Sequence, residues 1–184
     1  MNKSEINKEI ISWLKSFLFA AGIAFIFHTF IFTPVKVHGE SMMPTFTDEN
    51  RLVVSKLSKI QHFDIVVFDA PDSDEKYIKR VIGMPGDTIK VKNDVLYING
   101  KKFDEPYLKA NKEKIPGNAT LTEDFTLKNY TGEYKVPAGK LFVMGDNRLY
   151  SNDSRIFGFI PMDSVIGEAK FQFYPLNQLG THFK

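Results

Sequence analysis

Two side chains in this sequence are of the right type and spacing to do chemistry together. Ser41 opens the run Ser41-Met42-Met43-Pro44-Thr45. Lys79 sits inside Tyr77-Ile78-Lys79-Arg80-Val81-Ile82-Gly83-Met84-Pro85-Gly86-Asp87. A hydroxyl becomes a nucleophile when a neighbouring group takes its proton, and a neutral amine can do this as well as an imidazole. The obstacle is charge. A free lysine has a pKa near 10.4, so about one in 2,500 is neutral at pH 7, and neutralising it costs about 4.6 kcal/mol. Desolvation in an apolar pocket lowers a lysine pKa by about three to five units, which is enough. Strand alternation puts Tyr77, Lys79 and Val81 on one side and Ile78, Arg80 and Ile82 on the other. Lys79 can then be buried while Arg80 points elsewhere and pairs with an acid. The competing base is His38, which alternation sets on the opposite face from Ser41. Taken singly, Ser-x-x-Pro is an ordinary strand-to-turn junction, and a lone lysine is usually a surface residue.

If residues 35–41 are extended, Val35, Val37, Gly39 and Ser41 share one face. That row would line a site for an extended substrate with small side chains, and Val35, Val37, Gly39 and Met42 are the candidate substrate contacts. Gly39 would allow close backbone approach. A second polar cluster runs from Gly145-Asp146-Asn147-Arg148 to Ser151-Asn152-Asp153-Ser154-Arg155, after the apolar run Leu141 to Met144. Read bare, it is an ion-paired turn with side-chain capping. Read with the pair above, it is a supporting layer. Ser151 would orient the lysine amine, while Asp146 and Asp153 pair with Arg80 and Arg155, because a buried amine needs its hydrogen bonds satisfied.

These groups need a scaffold. The 184 residues, 43% hydrophobic and 14% aromatic, are enough for one domain with a sizeable core. A net charge of +2 gives no electrostatic case for nucleic acid. The absence of cysteine excludes disulfides and thiolate metal sites, and His28, His38, His62 and His182 hold no metal-ligand spacing, so neither metal nor cofactor is expected. Residues 10–32 form an apolar stretch. As a helix of about 22 residues it spans roughly 33 Å, enough for a bilayer core, with Lys15 and His28 near its ends. A cleavable leader is the alternative, but Phe30, Ile31, Phe32 and Val35 are too bulky for a cleavage site. Lys3, Lys8 and Lys15 predict a cytoplasmic N-terminus, residues 1–9, with residues 33–184 outside the membrane. That body reads as β. Arg51–Val54, Asp64–Phe68, Thr88–Lys92, Val95–Ile98, Lys140–Met144 and Ala169–Phe173 are short β-branched or alternating runs, and Asn93-Asp94 and Asn99-Gly100 are hairpin signals. Residues 104–134 are polar and broken, a long loop or a small subdomain.

In series, the apolar N-terminus, Gly39-x-Ser41-Met42-Met43-Pro44-Thr45, Asp64–Phe68, Tyr77–Asp87 and Gly145–Arg155 closely resemble the type I signal peptidases, the membrane-bound Ser/Lys leader peptidases, in their short Gram-positive form. The resemblance implies a mainly β, antiparallel catalytic domain shared with self-cleaving repressor proteases, behind one transmembrane helix. It implies a serine endopeptidase of the cell membrane that cleaves signal peptides from exported preproteins, acting as a monomer. It implies Ser41 as nucleophile and Lys79 as general base, supported by Ser151, Asp146, Asp153, Arg80 and Arg155. Some relatives carry a serine where Gly39 stands, so a side-chain donor to the oxyanion is missing at that position. Two other readings use the same residues: a self-cleaving regulatory protein, and a relative that binds signal peptides without cutting them.

Overall fold

The computed structural model describes residues 3–26, 32–117 and 119–181. His28, His182 and residues 27–31 of the apolar stretch lie outside them. The N-terminal helix α1 runs Lys3–Ile26, starting well before Ile10. The lysines and glutamates ahead of Ile10 are good helix formers and carry the helix through the weaker former Asn7. The helix thus begins ahead of the apolar stretch read from the sequence. The charged first turns belong to the helix, and among the described residues no helix is long and apolar enough to cross a membrane. Side chains 9–24 of α1 are all exposed.

The body is antiparallel throughout. Its elements in chain order are β1 (Phe32–Lys36), β2 (Arg51–Ser55), β3 (Ile65–Asp69), β4 (Lys76–Gly83), β5 (Ile89–Lys92), β6 (Val95–Ile98), β7 (Lys101–Phe103), α2 (Lys109–Lys112), β8 (Phe125–Thr126), α3 (Leu127–Thr131), β9 (Lys140–Met144), α4 (Ser154–Phe157), β10 (Ile160–Pro161) and β11 (Val165–Tyr174). The larger sheet has the order β1-β2-β11-β3-β4-β9-β10, and the smaller β7-β6-β5-β8. The smaller sheet is built on two tight hairpins. Asn93 and Asp94 both take positive φ, as do Asn99 and Gly100, which two-residue turns between right-twisted strands require. Residues 104–134 supply a 3-10 turn at Pro106–Leu108, then α2, β8 and α3, with β8 pairing to β5.

The long apolar runs of β3 and β4 are central strands covered on both faces. Ile65, Val67 and Ile78 join Val37, Met42, Phe46, Leu52 and Val54 on one face. Val66, Phe68 and Val81 join Leu141, Val143 and Ile160 on the other. A third cluster around Ile82, Phe142 and Met144 packs the smaller sheet onto the larger. The chain bends between the sheets at Gly83, where a Cβ would strike Val136 and Ile89.

Candidate active site

The arm that carries Ser41 leaves β1 at Lys36 and does not continue as a strand. It is tied to the stretch before β2 by Val37 N–H to Asn50 O (2.8 Å) and Glu49 N–H to Val37 O (3.1 Å), then by Gly39 N–H to the Asp48 carboxylate (3.0 Å). Gly39 takes φ +80, a left-handed conformation that side chains rarely adopt, and nothing crowds the position of its missing Cβ. The glycine thus serves the turn rather than a close approach, and the expected run of four residues along one face ends there. Residues 41–46 form turns closed by Met43 N–H to Glu40 O and Phe46 N–H to Met42 O, both 3.0 Å.

Lys79 lies at the middle of β4, paired to Val66 of β3, and is 3% exposed. Its Nζ is 2.8 Å from Ser41 Oγ and 3.0 Å from the carbonyl of Ile78, and it stands 5.1 Å from the Tyr77 ring centre. Burial pulls its pKa down from 10.5 to about 8, against the upward pull of Asp153, Asp72 and Asp146. His38 is 72% exposed in its side chain, turned to Asp48 at 3.9 Å. His38, Asp48 and Glu49 bring one donor atom each within 4.8 Å of one another, but Asp48 accepts the Gly39 N–H and Glu49 pairs with Lys36.

The other face of β4 presents the opposite electrostatics. Arg80 and Asp146 are both fully buried and joined by two hydrogen bonds, Nε to Oδ1 (2.9 Å) and Nη2 to Oδ2 (2.7 Å), with Nη1 donating to Phe63 O. A bidentate pair of this kind is the geometry in which a buried guanidinium is tolerated. Thr45 Oγ1 donates to the same carboxylate at 2.5 Å. Asp153 caps α4 through the Arg155 N–H, grips the Arg155 guanidinium at 2.9 and 2.8 Å, and accepts the Gly145 N–H at 3.0 Å. Burial raises its pKa, but Arg155 and the two N–H groups outweigh that and hold it below the usual carboxylate value.

Ser151 differs from expectation. Its hydroxyl is buried with no hydrogen-bond partner among the described residues, and it is not joined to Lys79. It packs instead against Gly145, where a Cβ would run into both the Ser151 hydroxyl and the Ser41 carbonyl. The Lys79 amine takes Ser41 and Ile78 as its acceptors. A cleft of about 750 Å³ runs from Ser41 and Lys79 along residues 33–40, lined also by Val67, Ile78, Tyr150 and Asn152. Val35, Val37 and Gly39 line it; Met42 does not. Met42 is 1% exposed and belongs to the core beside Phe46 and Leu52. The turn at Gly39 and the coil after it rotate the chain, so Met42 points inward.

Sequence reasoning missed several groups. Asn147 donates its backbone N–H to Ser41 O (3.0 Å) and its side chain to Glu40 O (3.1 Å). Asn111 donates to Met43 O (2.9 Å) and Asp146 O (3.0 Å). The Tyr107 ring lies 3.8 Å from the Arg80 guanidinium carbon, and Glu105 pairs with the buried Arg148 at 2.5 Å. Burial raises the Tyr107 pKa, as does Glu105, outweighing the opposing charges of Arg148 and Arg80. Only the polar side chains of residues 105, 107 and 111, in a segment otherwise read as loop, could have signalled this.

A desolvated amine in hydrogen-bond contact with a serine hydroxyl, beside an open cleft, is an arrangement for acyl transfer. Residues 10–174 match the family described as signal peptidase, peptidase S26. The chain belongs to that family. The signal peptidase I of Bacillus caldolyticus is 50% identical over 158 residues, covering 84% of this chain and 86% of that protein. The signal peptidase I S of Bacillus subtilis is 45% identical, covering 94% and 93%, and the signal peptidase IB of Staphylococcus aureus is 41% identical, covering 97% and 96%. The crystal structure of a signal peptidase I from Enterococcus faecalis, 44% identical, superposes with a TM-score of 0.59 over 60% of this chain and 97% of that one. The activity class is that of an S26 signal peptidase, a hydrolase of peptide bonds in signal-peptide processing.

Proposed function

We propose that the protein is a membrane-anchored endopeptidase that removes signal peptides from exported preproteins, with Ser41 as nucleophile and Lys79 as general base. The observation that carries this reading is the 2.8 Å contact between the desolvated Lys79 amine and the Ser41 hydroxyl. In its neutral form Lys79 accepts the Ser41 proton as Oγ attacks the scissile carbonyl. The resulting ammonium keeps the Ile78 carbonyl as acceptor and lies in the field of Asp153, Asp72 and Asp146. The oxyanion is held by the Ser41 N–H. The ammonium then protonates the leaving amine, and the regenerated amine activates water to hydrolyse the acyl-enzyme. The preprotein lies extended along residues 33–40, with Val35 and Val37 walling shallow pockets that accept small side chains. Ser151, Asp146, Asp153, Arg80 and Arg155 hold the site in shape.

Residues 10–32 anchor the chain in the lipid bilayer as a single pass, with residues 1–9 cytoplasmic and 33–184 outside. In support, Ile10, Trp13, Leu14, Phe17 and Phe19 of α1 are all more than half exposed, an apolar surface that the rest of the described chain does not cover. Anchoring keeps the cleft where a signal peptide leaves the bilayer and raises its effective concentration. The test is processing of one preprotein by the full chain in detergent. Ser41→Ala and Lys79→Ala each lose about a thousandfold or more in kcat/KM. Unimpaired processing by either variant rules the dyad out.

A further inference from the structure

We propose that Asn111, from the segment between the smaller sheet's strands β7 and β8, is a positioning residue for the nucleophile. This rests on Ser41 being the attacking group. The Asn111 Nδ2 amide donates to two main-chain carbonyls that belong to different loops: Met43 O at 2.9 Å and Asp146 O at 3.0 Å. These loops are the two that must meet at the site. Met43 follows Ser41 in the same turn. Asp146 stands between Gly145, whose missing Cβ makes room for the Ser41 carbonyl, and Asn147, whose N–H donates to that carbonyl at 3.0 Å. A single NH₂ group with two hydrogens can satisfy two carbonyl acceptors at once; a carboxylate, having no donor, cannot. Asparagine is also a poor helix former, so its position within the four-residue α2 owes nothing to helix stability.

The mount is rigid enough for the task. Glu105 and Arg148 form a buried pair, and Arg148 Nε donates to Gly145 O at 3.0 Å, so the segment grips the same loop from a second point. Tyr107 donates to Glu105 at 2.7 Å and lays its ring on Arg80. On the far side, Lys112 donates to Asp94 O at 2.8 Å. The segment thus braces the turn of Ser41 against the loop of Asp146 from outside the cleft. Asn111 is not among the cleft-lining residues, so it acts through the main chain and not on the substrate.

The experiment compares Asn111→Ala and Asn111→Asp with wild type on one preprotein, using the full chain in detergent at a temperature where each variant is fully folded. The aspartate has the same shape but offers no donor and turns a charge toward the two carbonyls, so it breaks the clamp without opening a cavity, while the alanine removes the donor without adding charge. Both variants are expected to lose at least about tenfold in kcat, since sub-ångström misplacement of a reacting group is costly. KM stays within about threefold, and in Asn111→Ala, which adds no charge, the midpoint of the rate–pH profile does not move. Full kcat in Asn111→Asp overturns the assignment, as does a loss confined to KM in either variant or a displaced pH midpoint in Asn111→Ala. Ser41→Ala run alongside separates the two claims: activity in that variant refutes the nucleophile itself, whereas an inactive Ser41→Ala beside an unimpaired Asn111→Asp refutes only the clamp.

Discussion

Replacing Lys79 by methionine removes a charge from a dry site, and the structure sets the size of the effect. The lysine pKa falls from 10.5 to about 8 on folding. A fall of that size corresponds to about 3 kcal/mol. Between pH 8 and 10.5 the unfolded chain holds the proton and the folded chain does not, so stability rises with pH across that window. Below pH 8 both states are protonated and the folded protein bears the full penalty. Methionine, similar in length and never charged, escapes it, though it leaves the Ile78 carbonyl without a donor at a cost of about 1 kcal/mol. Lys79→Met is therefore expected to be about 2–3 kcal/mol more stable than wild type at pH 7, while being catalytically dead. The gap shrinks as the pH approaches 10, where the remaining charge penalty is under about 1 kcal/mol. Urea unfolding of both proteins in the same detergent at pH 7 and pH 10 measures this, because all other titrations cancel in the difference. A variant less stable than wild type at pH 7, or a difference that does not change with pH, refutes a desolvated amine.

With Lys79 as the proposed base, kcat/KM is expected to rise with pH to a midpoint at or somewhat below about 8, where substrate displaces further water from Lys79, and a profile flat between pH 6 and 9 contradicts the base assignment. Gly145→Ala forces a methyl into the Ser41 carbonyl and the Ser151 hydroxyl; thermal unfolding should register a loss of about 1–3 kcal/mol, and preprotein cleavage should fall steeply. Asp146→Ala strands the Arg80 guanidinium in the interior and is expected to cost about 3–5 kcal/mol in denaturant unfolding. Met42→Ala is expected to cost about 2–5 kcal/mol while leaving the preference for residues before the scissile bond unchanged, as measured on a panel of preproteins; an altered preference would return Met42 to the cleft.

What could be read from the sequence was whatever alternation alone decides. Period two along Tyr77 to Ile82 is enough to send Lys79 and Arg80 to opposite faces of one strand, and the two are found buried on opposite faces with different partners. The Asn-Asp and Asn-Gly turns carry their geometry in the residues themselves. The pattern failed where one residue changes the backbone direction. The strand stops at Lys36 and Gly39 at φ +80 turns the chain before Ser41, where alternation no longer applies, and Met42 enters the core. The helix start was not legible because hydropathy marks where a membrane span could begin, whereas helix propensity runs on through Lys8 and Glu9. Asn111, Tyr107 and Glu105 were illegible for another reason. Their partners are far off in sequence, 68 residues in the case of Asn111 and Met43, and no local rule reaches that far.

The order of the larger sheet carries a consequence for how the protein comes into being. β11, formed by Val165–Tyr174, lies between β2 and β3. The half that bears the serine hangs from β1 and β2, the half that bears the lysine is β3 and β4, and β11, the last strand among the described residues, is the seam that joins them. Hydroxyl and amine therefore belong to one continuous sheet only once Val165–Tyr174 is in place. A copy cut before Val165 is expected to lack that seam and to cleave no preprotein.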